Sequence, residues 1–282
     1  SGVAGLFYRS DVLEQAGYTA DDLNDITWDR LIEIGQDVKE KTGETLLPID
    51  PNASDMFRMM MQSAGSWYFD ADGNVTIKDN PVFKSALETY QRLLAAGISK
   101  PKNGWTEYTG SFTSGDTLAT PTGVWMTATI KANPELSGKW AVASLPRLGD
   151  IETSVNASNL GGSSWYVLSS APEKDKAIDF LATIWGADVD FYQDILVNQG
   201  AVGTFMAARE GEAYKASDEF FVGTPVWQNW STWLAEIPGV KYGIFTEEAD
   251  SAVVAQIPAI TSGGNIDEII DTIDAQVRQQ TQ

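Results

Sequence analysis

Short apolar and aromatic runs alternate along this chain with longer segments whose apolar residues recur at three- and four-residue spacing, a pattern few architectures satisfy. Residues 3–8, Val-Ala-Gly-Leu-Phe-Tyr, read as a buried strand. Ser10 stands where it can cap a short helix through Ala16, which Gly17 ends. Thr27 caps a longer one, with Trp28, Leu31, Ile34 and Val38 on one face and Gly43 as its stop. Residues 46–49 follow as a strand, and residues 56–64 as a helix whose four methionines read as adaptable core filler. Pro81 opens a helix carrying Phe83, Leu87, Tyr90 and Leu94 that Gly97 closes. Strands are expected at residues 75–77, 120–126, 140–145 and 164–168, and a helix from Pro172. After Asn265, a capping residue with Glu268 three positions on, Ile266, Ile269, Ile270, Ile273 and Val277 form one face of a terminal helix. Strands alternating with helices make this an α/β protein.

Composition narrows the chemistry. The chain has 282 residues with neither cysteine nor histidine. Disulfides, thiol catalysis and thiolate metal sites are thereby excluded, and with them the commonest general base and the Ser-His-Asp triad. What survives is carboxylate-pair hydrolysis, Lys or Tyr chemistry and oxygen-ligated metals. Asp70-Ala71-Asp72-Gly73-Asn74 begins like a calcium loop, but the glutamate needed at the twelfth position is Pro81, so a hairpin turn is the better reading. No cofactor or metal is expected. The formal net charge of -20 repels phosphate backbones and anionic headgroups, which argues against nucleic acid and membrane surfaces. Ten Trp, nine Tyr and eleven Phe suit the C–H faces of sugar rings, although most such rings fill cores.

The order of several motifs resembles the extracellular solute-binding proteins of carbohydrate ABC importers, the family that includes maltose-binding protein. Gly5-Leu6-Phe7-Tyr8-Arg9-Ser10-Asp11-Val12-Leu13 with Ala16-Gly17 is similar to the family's YN-x-D-L-F…AG element, and Thr27-Trp28-Asp29 to its T-W-[DE]-E helix start. Phe112-Thr113-Ser114-Gly115-Asp116 followed by Gly123-Val124-Trp125 resembles F-x-x-G-x-x-A-M…G-x-W. Gly161-Gly162-Ser163 with Ala177, Phe180 and Leu181 resembles G-G…A-x-x-F-L, and Ser262-Gly263-Gly264 precedes the last helix as in the family. Leu145-Pro146 fits the family's strand end only loosely.

This resemblance implies a periplasmic-binding-protein-like type II fold of two lobes, here mainly the C-terminal lobe with part of the N-terminal one. Residues 1–167 are then the first part of the C-terminal lobe, 168–225 a segment of the N-terminal lobe, and 226–282 the rest of the C-terminal lobe. A missing N-terminal lobe segment would precede residue 1, and the apolar face of Ile178, Leu181, Ile184 and Trp185 would pack against it. The implied protein is no enzyme. It captures a sugar or oligosaccharide between the lobes and hands it to ABC permease subunits, from an extracellular, cell-surface or periplasmic position, lipid-anchored in the full-length precursor.

Trp125 matches the family's G-x-W tryptophan, which stacks on a sugar ring in several members; a core role is the alternative. Gly161 and Gly162 let the backbone approach a ligand closely, or form a strand bulge. Asp50, Asn52 and Asp55 offer acceptors for sugar hydroxyls, or serve as loop caps. Tyr242 and Phe245 match a Y-G stretch of some members, and Trp105 with Tyr108 sits in a Gly-containing loop able to rim the cleft. Two other functions remain open from sequence: an acidic glycoside hydrolase with a carboxylate pair, and the same binding fold with a polyamine, peptide or phosphate ester as ligand.

Overall fold

In the computed structural model, which describes residues 1–281, the first strand, β1 (Val3–Arg9), is buried at every position. Its two faces enter different cores. Ala4, Leu6 and Tyr8 belong to the larger one, and Val3 and Phe7 to the smaller. A strand buried on both faces must be apolar throughout, which is why residues 3–8 lack the polar alternation of a surface strand. α1 (Ser10–Gln15) follows directly, then α2 (Trp28–Thr42), β2 (Leu47–Ile49), α3 (Asp55–Ser63) and α4 (Pro81–Ala95). Next come β3 (Ser99–Pro101), α5 (Gly104–Ser114), β4 (Ala119–Gly123), α6 (Thr127–Ile130), β5 (Trp140–Ser144) and β6 (Ser158–Asn159). The remainder is helical: α7 (Lys174–Ala187), α8 (Val189–Gln199), α9 (Glu212–Lys215), α10 (Val226–Glu236), α11 (Thr246–Thr261) and α12 (Ile266–Gln280).

The main sheet is built around β1. β4 pairs antiparallel along one edge, from Ala4↔Gly123 to Tyr8↔Ala119. β5 pairs antiparallel along the other, from Gly5↔Ser144 to Arg9↔Trp140, and β6 takes over that edge at Val3↔Asn159 and Ala4↔Ser158. β2 and β3 form a separate parallel pair.

The larger core lies between this sheet and α2, α3, α4, α11 and α12. It holds Trp28, Leu31, Ile34 and Val38 of α2, together with Met59, Met60 and Met61 of α3, so the methionines do fill the interior. The smaller core packs Phe7, Trp140 and Val142 against Leu196, Tyr214, Phe221 and Trp230. Trp230 from α10 stands 5.2 Å from Phe7, ring centroid to centroid. Gly5 lies beneath the same indole, where a Cβ would come within 2.7 Å of its Cζ3 atom.

Several end signals act as the sequence suggests. Thr27 accepts the Arg30 N–H at 3.2 Å, Asn80 caps α4 with Pro81 as its first residue, and Asn265 accepts from Asp267 and Glu268. Others do not. Arg9, not Ser10, is the residue before α1, and the Ser10 hydroxyl donates instead to the Lys139 carbonyl. Residues 75–77 form no strand; a single bridge, Phe69↔Val75, closes a turn in which Asp70 accepts from the Asp72 and Asn74 backbones. The strand expected through residue 126 stops at Gly123, and Val124–Met126 turn into a 3₁₀ helix. Residues 164–168 are irregular because no strand lies alongside to accept their hydrogen bonds among the described residues, and Trp165 and Tyr166 stand exposed. The helix expected from Pro172 begins at Lys174. Trp105 and Tyr108 lie on α5, a helix rather than a loop.

Gly5→Ala is expected to lower stability by about 1–3 kcal/mol, the usual cost of forcing a methyl into a filled interior. The check is a urea midpoint that falls with its slope unchanged. Asn265→Ala, which removes the cap of α12, is expected to cost about 1 kcal/mol in the same measurement.

Candidate ligand-binding site

A cavity of about 1300 Å³ opens where α3, the end of β6 and the segment before α11 converge. Its aromatic lining comprises Trp125, the pair Trp67 and Tyr242, and the cluster Trp165, Trp185 and Tyr192. Trp125 reaches it because β4 ends at Gly123 and the 3₁₀ turn that follows swings the indole out over the opening. The ring is 37% exposed, unlike the fully buried Trp28, Trp140 and Trp230. Its orientation is fixed: the indole Nε1 donates to the Leu160 carbonyl at 2.8 Å. Gly161 and Gly162 come next, with φ of 76° and 91°. A side chain is strained in that region, and at Gly161 a Cβ would also crowd the Trp125 Nε1 at 3.3 Å. The two glycines therefore let the chain pass beside the tryptophan into the cavity wall.

Tyr242 is held from two sides. Its hydroxyl donates to the Gln62 side-chain oxygen at 3.0 Å and lies 3.4 Å from the Asn159 amide, while its ring meets Trp67 edge-on at 4.9 Å. Trp67 donates in turn to the Thr246 hydroxyl at 3.0 Å. The Lys241 ammonium reaches the Ala71 carbonyl, which ties the stretch before α11 to the turn at Asp70.

Arg58 lines the cavity from α3. Its guanidinium donates to Asp55 at 2.7 Å and lies 3.7 Å from Asp250 on α11. Burial works to lower its affinity for the proton, but the Asp250 and Asp55 carboxylates outweigh that and hold it above its ordinary value. Asp250 also accepts the Tyr68 hydroxyl at 3.0 Å and the Ser54 hydroxyl. Burial, with the Asp250 charge, raises the Tyr68 phenol well above its usual range, so it stays a neutral donor.

Trp125, Gly161, Gly162 and Tyr242 of the expected residues line this cavity. Trp105 does not, but its ring stands 5.9 Å from that of Trp125 and extends the aromatic surface outward. Tyr108 backs it: its phenol is buried, paired with Thr120 at 2.8 Å and pushed up to about 12, chiefly by burial. Asp50 and Asn52 are spent on a local turn, Asp50 accepting the Asn52 backbone at 2.9 Å. Asp55 acts through Arg58. Phe245 turns away from the cavity and packs on the larger core. Sequence reasoning missed Arg58, Gln62, Trp67, Asn159 and Glu247. Arg58 and Gln62 lie four apart on α3, a polar pair interrupting a methionine-rich face, and that interruption was the available signal.

A lactose-binding protein of Rhizobium radiobacter is 50% identical over 282 residues, all of this chain and 67% of that protein. An arabinooligosaccharide-binding protein of Bacillus subtilis (strain 168) is 28% identical over 192 residues, 66% of this chain and 43% of that one. Among solved structures, the ABC transporter associated binding protein from B. animalis subsp. lactis Bl-04, in complex with beta-1,6-galactobiose, superposes with a TM-score of 0.79 at 21% identity, covering 98% of this chain and 70% of that one. The fold is thus the type II periplasmic-binding-protein fold expected from the motifs. The profile of the bacterial extracellular solute-binding proteins matches residues 1–222, and with these relatives it makes the chain a member of that family.

Proposed function

We propose that this chain is the substrate-binding component of an ABC importer and that it holds a sugar of the disaccharide or oligosaccharide class against Trp125. One observation carries the reading: an immobilised, partly exposed indole at the mouth of a large cavity, in a chain 50% identical along its whole length to a lactose-binding protein. An indole held by its own N–H offers its face at no further ordering cost, and a sugar's C–H face is its natural complement. Around it, Gln62, Asn159 and Arg58 supply polar groups of the kind that fix a ring's orientation. Delivery to membrane permease subunits and a lipid anchor on the precursor belong to the same proposal.

The lobe division 1–167, 168–225 and 226–282 is part of it too. Support is strongest over α7, which has no buried residue and leaves Ile178 and Phe180 47% and 60% exposed, as befits a helix that faces a second lobe. From Leu196 onward the chain packs into the core with Phe7 and Trp140, which favours ending the returning segment before Leu196 instead of at residue 225.

Calorimetry with lactose and a panel of oligosaccharides tests the reading. Binding without release of new reducing ends is the expected result; steady release would favour the glycoside hydrolase. Trp125→Ala is expected to weaken binding by about 1–3 kcal/mol, typical for loss of an aromatic anchor. Added chelator should leave the affinity unchanged, since the chain has no histidine or cysteine to hold a transition metal and, among the described residues, no cluster of three carboxylates to hold an oxygen-ligated one.

A further inference from the structure

Arg58 is built as a donor with more to give than the protein takes. Its Nη2 donates to Asp55 at 2.7 Å, yet the buried Nε has no hydrogen-bond partner, and the nearest Asp250 oxygen, 3.7 Å away, is beyond bonding reach. A guanidinium carries five N–H groups in a rigid plane, and among the described residues Asp55 is the one acceptor it meets. The side chain is 24% exposed and forms part of the cavity wall. Its place is also fixed in advance. Asp55 sits one helical turn earlier on α3, and Asp250 is pinned from behind by the hydroxyls of Tyr68 and Ser54.

The charge balance bears on what such a donor can read. Among the described residues, Arg58 and Glu247 are the charged side chains that line the cavity, and behind Arg58 stand two carboxylates. Its positive charge is already answered twice over. A third carboxylate, brought by a ligand and stripped of water, would meet a locus that is negative in sum. What Arg58 retains is directional N–H geometry, which suits the oxygens of neighbouring hydroxyls.

We infer that Arg58 is a specificity-determining residue of the cleft, donating to adjacent hydroxyls of a neutral glycan, and that with Asp55 and Asp250 it selects against sugars bearing a carboxylate. This rests on the sugar-binding reading and adds to it the charge class of the ligand.

Calorimetry with lactose and with digalacturonate, on the wild-type chain and on Arg58→Met and Arg58→Lys, tests it, with melting curves recorded for each. The wild type is expected to bind lactose at least about 10-fold more tightly than digalacturonate. Arg58→Met should lose about 10- to 100-fold in lactose affinity, as for a charged hydrogen-bond donor. Arg58→Lys keeps the charge and its carboxylate partners but not the planar fork, and should still lose several-fold. It supplies the readout if the methionine variant does not fold. Lactose affinity within about twofold of wild type in a folded variant overturns the assignment of Arg58 while leaving the sugar reading intact. So does a wild type that prefers digalacturonate. A wild type that binds no glycan of the panel overturns the sugar reading and this inference together.

Discussion

Everything in this chain is arranged about one strand that has no exposed face. β1 hands Ala4, Leu6 and Tyr8 to one core and Val3 and Phe7 to the other, and it carries β4 on one edge with β5 and β6 on the other. Between Val3 and Tyr8 such a strand can tolerate neither a charge nor a gap, and the one charge it carries, Arg9, stands at its end and is paired with Asp11 at 2.7 Å. Gly5 is no exception, because the Trp230 indole lies over it and fills the volume that a side chain would have taken. β5 repeats the division one strand over, with Trp140 and Val142 facing the smaller core and Ala141 and Ala143 the larger. The two cores are therefore coupled through shared backbone, and the register of β1 is fixed because a slip of one residue would exchange its faces.

The cleft inherits its rigidity from the same sheet. Trp125 and Leu160, whose side chain and carbonyl meet, follow the ends of β4 and β6, and both strands are hydrogen-bonded to β1 near Ala4. The indole is thus anchored at both ends of its own contact to a single buried strand. On the opposite flank, Gln62 and Arg58 project from α3, whose neighbouring methionines are buried in the larger core. Side chains set on buried elements have little freedom left to lose to a ligand.

What the sequence made legible follows from how local each signal is. Thr27, Asn80 and Asn265 were readable because a cap needs only a side-chain oxygen and the next few backbone N–H groups. β1 was readable because burial on both faces leaves an unbroken apolar run. α11 was not: Pro258 lies within it and reads as a breaker, yet the helix runs on to Thr261, with Ile257 and Ile260 on either side of the proline buried in the larger core. α5 was hidden by Gly104 and Gly110 and by a row of Ser and Thr, residues that favour turns when considered locally. What makes it worthwhile as a helix is tertiary: Phe112 is buried in the smaller core, and the Tyr108 hydroxyl pairs with Thr120 of β4 at 2.8 Å. The expected strand at residues 164–168 failed for the converse reason: a strand exists only beside another.

The site was legible in the same uneven way. Trp125, Gly161 and Gly162 each belong to a contiguous motif, whereas the Arg58 assembly adds to its helical neighbour Asp55 the distant Asp250 from α11 and Tyr68 from the stretch between α3 and α4, partners that no local pattern encodes. That assembly agrees with the long-range field. A net charge of -20 disfavours the approach of anions before any contact is made, although at physiological salt such a field fades within about 8 Å. Discrimination at contact therefore has to come from groups inside the cavity, where water and salt screen least. On the inference drawn for Arg58, the two carboxylates behind its guanidinium extend the bias of the surface into the cavity wall.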